Sequence, residues 1–153
     1  MLQKGDQVKN FTLQDDHGQE ISLSDFRGKK VVVYFYPKDD TPGCTVEACS
    51  FRDEHSRFAD ANTVILGISK DSVEKHEKFK SKYDLPFYLL SDPETTVIKH
   101  FGAWGEKKNY GKTYEGIIRS TFILDEVGKV IHTFEKVTTK DHALAVLEEI
   151  GKF

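Results

Sequence analysis

Hydrophobic residues fall along this chain in two alternating rhythms. Val31 to Tyr36 is the longest unbroken apolar stretch, and the run from Lys29 to Phe35 reads as a strand buried on both faces near the centre of a mainly parallel sheet. A second such run covers Thr63 to Ser69. Between them, Cys44 to Phe58 spaces Val46, Phe51 and Phe58 among small and charged residues, as a helix with one buried side does. Ser72 to Tyr83 repeats the helical spacing, with Val73, His76, Phe79 and Tyr83 near one face. Pro86 then marks the exit into a short strand over Phe87 to Leu90, and Thr95 to Phe101 reads as a short helix.

The Gly-, Lys- and Tyr-rich stretch from Gly102 to Gly116 shows neither rhythm and is expected to be a loop. Ser120 to Leu124 and Lys129 to Phe134 read as strands joined by a turn at Asp125-Glu126-Val127-Gly128. Lys140 to Ile150 carries Ala143, Leu144, Leu147 and Ile150 on one stripe, with Thr139 as its expected cap and Gly151 as its stop. Near the N-terminus, Phe11 to Leu13 and Glu20 to Leu23 flank a turn at Asp16-His17-Gly18, which suggests a small hairpin. The order ββ, β, α, β, α, β, α, ββ, α predicts a three-layer α/β domain with a central mixed sheet. Neither a repeat nor a linker interrupts residues 1 to 153, so a single domain is expected.

Composition narrows the function classes. Lys plus Arg total 22 against 25 Asp plus Glu, a formal charge of −3, which gives no general attraction to nucleic acid or anionic lipid. The longest apolar stretch falls far short of the ~18 residues of a membrane span. The start, Met1-Leu2-Gln3-Lys4-Gly5-Asp6, lacks the basic and apolar regions of a secretory signal, so a cytoplasmic location is expected. Two cysteines, Cys44 and Cys49, are too few for a disulfide scaffold and in a reducing compartment point to catalysis or metal binding. Metal is disfavoured: two ligands five residues apart have no second close pair among six scattered histidines.

The unusual chemistry lies in Tyr36-Pro37-Lys38-Asp39-Asp40-Thr41-Pro42-Gly43-Cys44-Thr45-Val46-Glu47-Ala48-Cys49. This segment leaves the carboxyl end of the central strand, where open α/β sheets gather ligands, and feeds a helix N-terminus. Cys44 would stand in the first turn, where unpaired N–H groups and the helix dipole favour thiolate. Thr41 can place a hydroxyl beside it or cap the helix, and Pro37 and Pro42 stiffen the loop. On a helix the two cysteines stand roughly 140° and about 7.5 Å apart, with Cα atoms about 8 to 9 Å apart. That exceeds the ~7 Å a disulfide tolerates, so any bond between them requires the helix to unwind. Two inert buried cysteines are the plain alternative.

Pro37-x-x-x-Thr41-x-x-Cys44 resembles the active-site signature of peroxiredoxins, and Tyr34 through Asp53 resembles their bacterioferritin-comigratory, or Q-type, subgroup. The resemblance runs from Gly5-Asp6 to the final helix and includes Ile118 to Asp125, with Arg119 where the family carries a distal arginine. It implies a thioredoxin-like three-layer fold and a peroxidase that reduces hydrogen peroxide and organic hydroperoxides without metal or flavin cofactor. By the same resemblance Cys44 is the peroxidatic cysteine and Cys49 the resolving one. Pro37, Thr41, Gly43 and Arg119 form the substrate pocket, a thioredoxin-type dithiol resets the enzyme, and the protein is a monomer.

Arg119 suits the role on chemical grounds, since a planar, permanently charged fork can stabilise both thiolate and departing oxygen. Glu47 and Arg52 read as solvated helix-face charges, Trp104 as packing, Lys107-Lys108 as too short for a basic patch, and the histidines as structural or exposed. Two other classes fit parts of the pattern. A redox sensor or holdase would use the same disulfide without turnover, and a thioredoxin-like binding module would hold an unreactive Cys44.

Overall fold

The computed structural model describes all residues from 1 to 153. A short hairpin, β1 (Thr12–Gln14) and β2 (Glu20–Ser22), precedes β3 (Lys30–Phe35), α1 (Pro42–Asp53), α2 (His55–Asp60), β4 (Thr63–Ser69), α3 (Val73–Tyr83) and β5 (Tyr88–Ser91). Then come α4 (Thr96–Phe101), β6 (Trp104–Asn109), β7 (Lys112–Ile117), β8 (Ser120–Leu124), β9 (Val130–Phe134) and α5 (His142–Ile150). Seven strands form one mixed sheet in the order β2-β1-β5-β4-β3-β8-β9. Strands β3, β4 and β5 run parallel, while β8 pairs antiparallel with β3 and β9 with β8.

Strand β3 explains the layering. Its alternate side chains point to opposite faces of the sheet. Val31, Val33 and Phe35 join Val97, Ile98 and Phe101 of α4 in one apolar core. Val32, Tyr34 and Tyr36 join Ala48, Phe51, Phe58, Phe79, Ala143 and Val146 in the other, beneath α1, α2, α3 and α5. The fold is the expected three-layer α/β arrangement with a central mixed sheet flanked by helices.

The departures from expectation have local causes. Gly102 to Gly116 is not a loop: β6 and β7 pair antiparallel from Trp104↔Ile117 to Asn109↔Lys112. Tyr110 and Gly111 turn the chain at φ 51° and 75°, the left-handed pair that suits a two-residue hairpin. This ribbon is exposed over most of its length, so no apolar alternation marks it. The expected single helix from Cys44 to Phe58 starts at Pro42, which is the first helical residue and not a loop stiffener, and breaks at Glu54. Val46 is on its outer face at 46% exposed. Thr139 is not the cap of the last helix; Asp141 is, with left-handed backbone and no side-chain cap bond. On that helix Leu144 is exposed and Val146 takes its expected place in the core.

Candidate active site

Antiparallel pairing of β3 with β8 sets Ser120 opposite Phe35. Residue 119 therefore stands beside the chain where it leaves β3 for α1. The helix begins with Thr41 as N-cap in extended conformation and Pro42 at its first position, and Thr45 N–H donates to the Thr41 carbonyl at 2.8 Å. Cys44 sits in this first turn and is 1% exposed.

Arg119 reaches across from the start of β8 and donates from Nη2 to Cys44 Sγ at 3.2 Å. Its other fork nitrogen, Nη1, donates to Glu47 Oε1 at 2.6 Å. Burial works against the charge of Arg119, but the Glu47 carboxylate and the Cys44 sulfur hold its pKa above the ordinary value. Gly43 backs onto this guanidinium: a Cβ there would stand 3.4 Å from Nη2 and 3.8 Å from Thr139 Cγ2. The Thr41 hydroxyl donates to the Lys38 carbonyl at 2.9 Å and makes no cap bond to the helix. With its proton committed, that hydroxyl offers acceptor lone pairs.

The structure places Cys44, Gly43 and Arg119 together, with Thr41 at the helix entrance. Pro37 lies half-buried in the loop between Tyr36 and Thr41. Cys49 lies outside the cluster, half-buried farther along α1, and both thiols are free in the wound helix.

Glu47 overturns its reading as a solvated charge, because its side chain is fully buried against Arg119. Burial pushes its pKa up to about 7, against the opposing pull of Arg119, and Oε2 has no hydrogen-bond partner. The signal was available: a residue three positions after Cys44 shares its helix face. Arg52 is also more than a surface charge, since its Nη1 donates to the Tyr83 carbonyl at 2.9 Å.

Other titratable groups frame the cluster. Lys107, from the unanticipated hairpin, donates to the Ile117 carbonyl at 2.9 Å, and burial followed by repulsion from Arg119 lowers its pKa. His142 is buried, bonds the Thr121 hydroxyl at 2.8 Å, and is lowered by burial and by Arg119 to about 4, so it is neutral at pH 7. Tyr34, buried with an unpartnered hydroxyl, is raised well above its ordinary value by desolvation and then by Glu47. Elsewhere, Asp39, Asp71 and His76 bring metal-ligand atoms within 4.8 Å of one another, but each is engaged in hydrogen bonds within the protein.

A buried thiol at a helix entrance, under a guanidinium that also grips a carboxylate, is equipped to hold negative charge on sulfur and to stabilise the charge that develops on an oxygen the sulfur attacks. Residues 4–133 match the AhpC/TSA family. The chain belongs to that family. It is 50% identical over 149 residues to peroxiredoxin Bcp of Bacillus subtilis, covering 97% of this chain and 95% of the relative. Its identity to peroxiredoxin Bcp of Escherichia coli is 47%, over 95% and 94% of the two chains. Among solved structures, a mutant PrxQ of Xylella fastidiosa superposes with a TM-score of 0.94 at 32% identity, covering 99% and 97% of the two chains. The chain is thus a thioredoxin-fold peroxiredoxin and a thiol peroxidase.

Proposed function

We propose that this peroxidase works through Cys44 as peroxidatic and Cys49 as resolving cysteine, within one domain spanning residues 1–153. The observation that carries the assignment is the 3.2 Å bond from Arg119 Nη2 to Cys44 Sγ. The Cys44 thiolate attacks the terminal oxygen of a hydroperoxide, the O–O bond breaks, and the departing oxygen takes a proton to leave as water or an alcohol. Arg119 shares its charge between sulfur and the reacting oxygens. The free N–H groups of the first turn and the acceptor oxygen of Thr41 orient the substrate, and Pro37 and Gly43 shape the space around it.

The sulfenic acid formed on Cys44 is attacked by the Cys49 sulfur, giving a disulfide and water. In the wound helix the two residues stand too far apart for that bond, so the first turns of α1 unwind before resolution. A thioredoxin-type dithiol then reduces the disulfide in two thiol exchanges. Hydrogen peroxide and organic hydroperoxides are the substrates; a related Xanthomonas campestris protein is described by its alkyl peroxide reduction activity. A monomer suffices because both sulfurs belong to one helix, and reduced thiols between turnovers suit the cytoplasm. No helix is long and apolar enough to cross a membrane.

A stopped-flow peroxide assay coupled to a thioredoxin-type reductant tests this reading. Sustained consumption is expected, Cys44→Ser abolishes it, and Cys49→Ser reacts once and accumulates sulfenic acid. Undiminished turnover in Cys44→Ser overturns the assignment, and consumption of only one equivalent by the unmodified protein favours a sensor.

A further inference from the structure

A buried polar knot ties the entrance of α1 to α3 and β5, and the reaction sequence above leaves it unused. Asp39, with its side chain 5% exposed, accepts from the Tyr36 hydroxyl at 2.5 Å through Oδ1. Its Oδ2 lies 2.6 Å from Nδ1 of His76, a fully buried side chain on α3. Nε2 of the same ring faces the Leu90 carbonyl at 3.0 Å. A carbonyl only accepts, so Nε2 carries its proton. The Asp39 carboxylate meets the same ring at Nδ1, so the imidazole is tied at both of its nitrogens.

More ties surround it. The Asp39 N–H donates to Asp71 Oδ2 at 2.8 Å. Asp40, at φ 57°, accepts from Lys82 Nζ and from the Tyr83 hydroxyl, each at 2.8 Å. The Tyr83 carbonyl accepts from Arg52 near the other end of α1. Helix α3 thus grips the chain on both sides of the segment that holds the two cysteines.

We propose that Asp39 and His76 are positioning residues for Cys44: their buried pair holds the entrance of α1 so that its first turn stays wound beneath Arg119. The inference rests on the cycle proposed above and assigns a cause to its timing. The first turn has little strength of its own. Pro42 brings no donor, Gly43 brings extra chain entropy, and the Thr41 hydroxyl does not cap. Beyond the Arg119 bonds to Cys44 and Glu47, its order comes from the adjoining loop, and the Asp39–His76 bond is that loop's most enclosed tie. Peroxide attack needs the turn wound, whereas disulfide formation needs it open. Cutting the tie therefore slows the first step and speeds the second. A damaged fold would slow both.

The test compares the reduced protein with Asp39→Ala, Asp39→Asn and Tyr36→Phe, using hydrogen peroxide and rapid-quench mass spectrometry of Cys44. Three quantities are read: the rate of sulfenic acid formation, the rate of Cys44–Cys49 disulfide formation, and the peroxide concentration at which half of Cys44 becomes sulfinic acid. In Asp39→Ala the first step falls roughly tenfold. Its disulfide step accelerates, and the half-oxidation concentration rises several-fold, since less sulfenic acid waits for a second peroxide. Asp39→Asn, whose amide keeps a hydrogen bond to Nδ1, recovers most of the original behaviour. Tyr36→Phe removes one donor to Asp39 and shifts both steps in the same opposed directions by less.

A folded Asp39→Ala with both rates unchanged, or both slowed, overturns the proposal. If that variant does not fold, Tyr36→Phe carries the test, and absence of opposed shifts in it overturns the proposal equally. A parent protein that forms no Cys44–Cys49 disulfide sinks the cycle, and the positioning role with it. A parent that cycles normally beside unresponsive variants sinks the positioning role alone.

Discussion

At the scale of single residues, the site depends on how Arg119 divides its charge. A lysine in its place keeps the charge and loses the fork that serves Cys44 and Glu47 together. Arg119→Lys is expected to lower the rate of sulfenic acid formation by roughly a hundredfold with the fold intact, measured by stopped flow beside a circular dichroism melt.

Glu47 and His142 leave an opposed mark on stability. Glu47 is raised from 4.5 to about 7, so between those values the folded state binds a proton that the unfolded chain has released, and stability falls as pH rises. His142 is lowered from 6.5 to about 4, so there the unfolded chain binds the extra proton, and stability rises as pH rises. The two windows overlap and their slopes nearly cancel. Glu47→Gln removes one of them: its unfolding free energy in urea should climb by about 2 kcal/mol from pH 4.5 to 6.5, where the parent stays nearly level. A variant as level as the parent would deny Glu47 its raised pKa. The segment around Thr41, Gly43, Cys44 and Cys49 stood out because its signature sets residue types at set spacing, and Arg119 through the separate resemblance over Ile118 to Asp125. Glu47 was not, because an acidic residue on a helix is usually solvated, and only the tertiary approach of Arg119 makes its burial tolerable.

At the scale of elements, α1 is anchored at one end and weakly held at the other. Phe51, fully buried, stacks on Tyr34 with ring centroids 4.8 Å apart and meets Phe58, Phe87 and His142. Ser50 Oγ accepts from Ala143 N–H at 3.2 Å, pinning the same end to α5. In native-state hydrogen exchange of the reduced protein, amides from Thr45 to Cys49 should therefore exchange at least tenfold faster than those from Phe51 to Asp53. Uniform protection along the helix would contradict an unwinding first half. The strands of the main sheet were readable because burial on both faces makes them continuously apolar. The ribbon β6–β7 was not, because it buries little and its pairing is carried by backbone bonds and the Tyr110-Gly111 turn.

At the scale of the molecule, two apolar cores on opposite faces of one sheet let a catalytic helix change shape without loosening the rest. Only one core touches α1, through Cys44, Ala48 and Phe51, while Val33, Phe35, Phe101 and Phe122 pack on the other side of the sheet. Phe51 keeps that face filled when the earlier turns unwind, and β3 remains hydrogen-bonded to β4 and β8 on both edges. One equivalent of peroxide should therefore raise hydrogen exchange in residues ~38 to 49 and leave Phe51 to Asp53, the start of α5 held by Ser50, and β3, β4 and β8 at their reduced-state protection. Mass spectrometry of peptides from the oxidised and reduced forms reads this directly. Exchange that spreads into β4 and β5 would mean that the helix and the sheet open as one unit, and that the second core does not insulate the fold from its own chemistry.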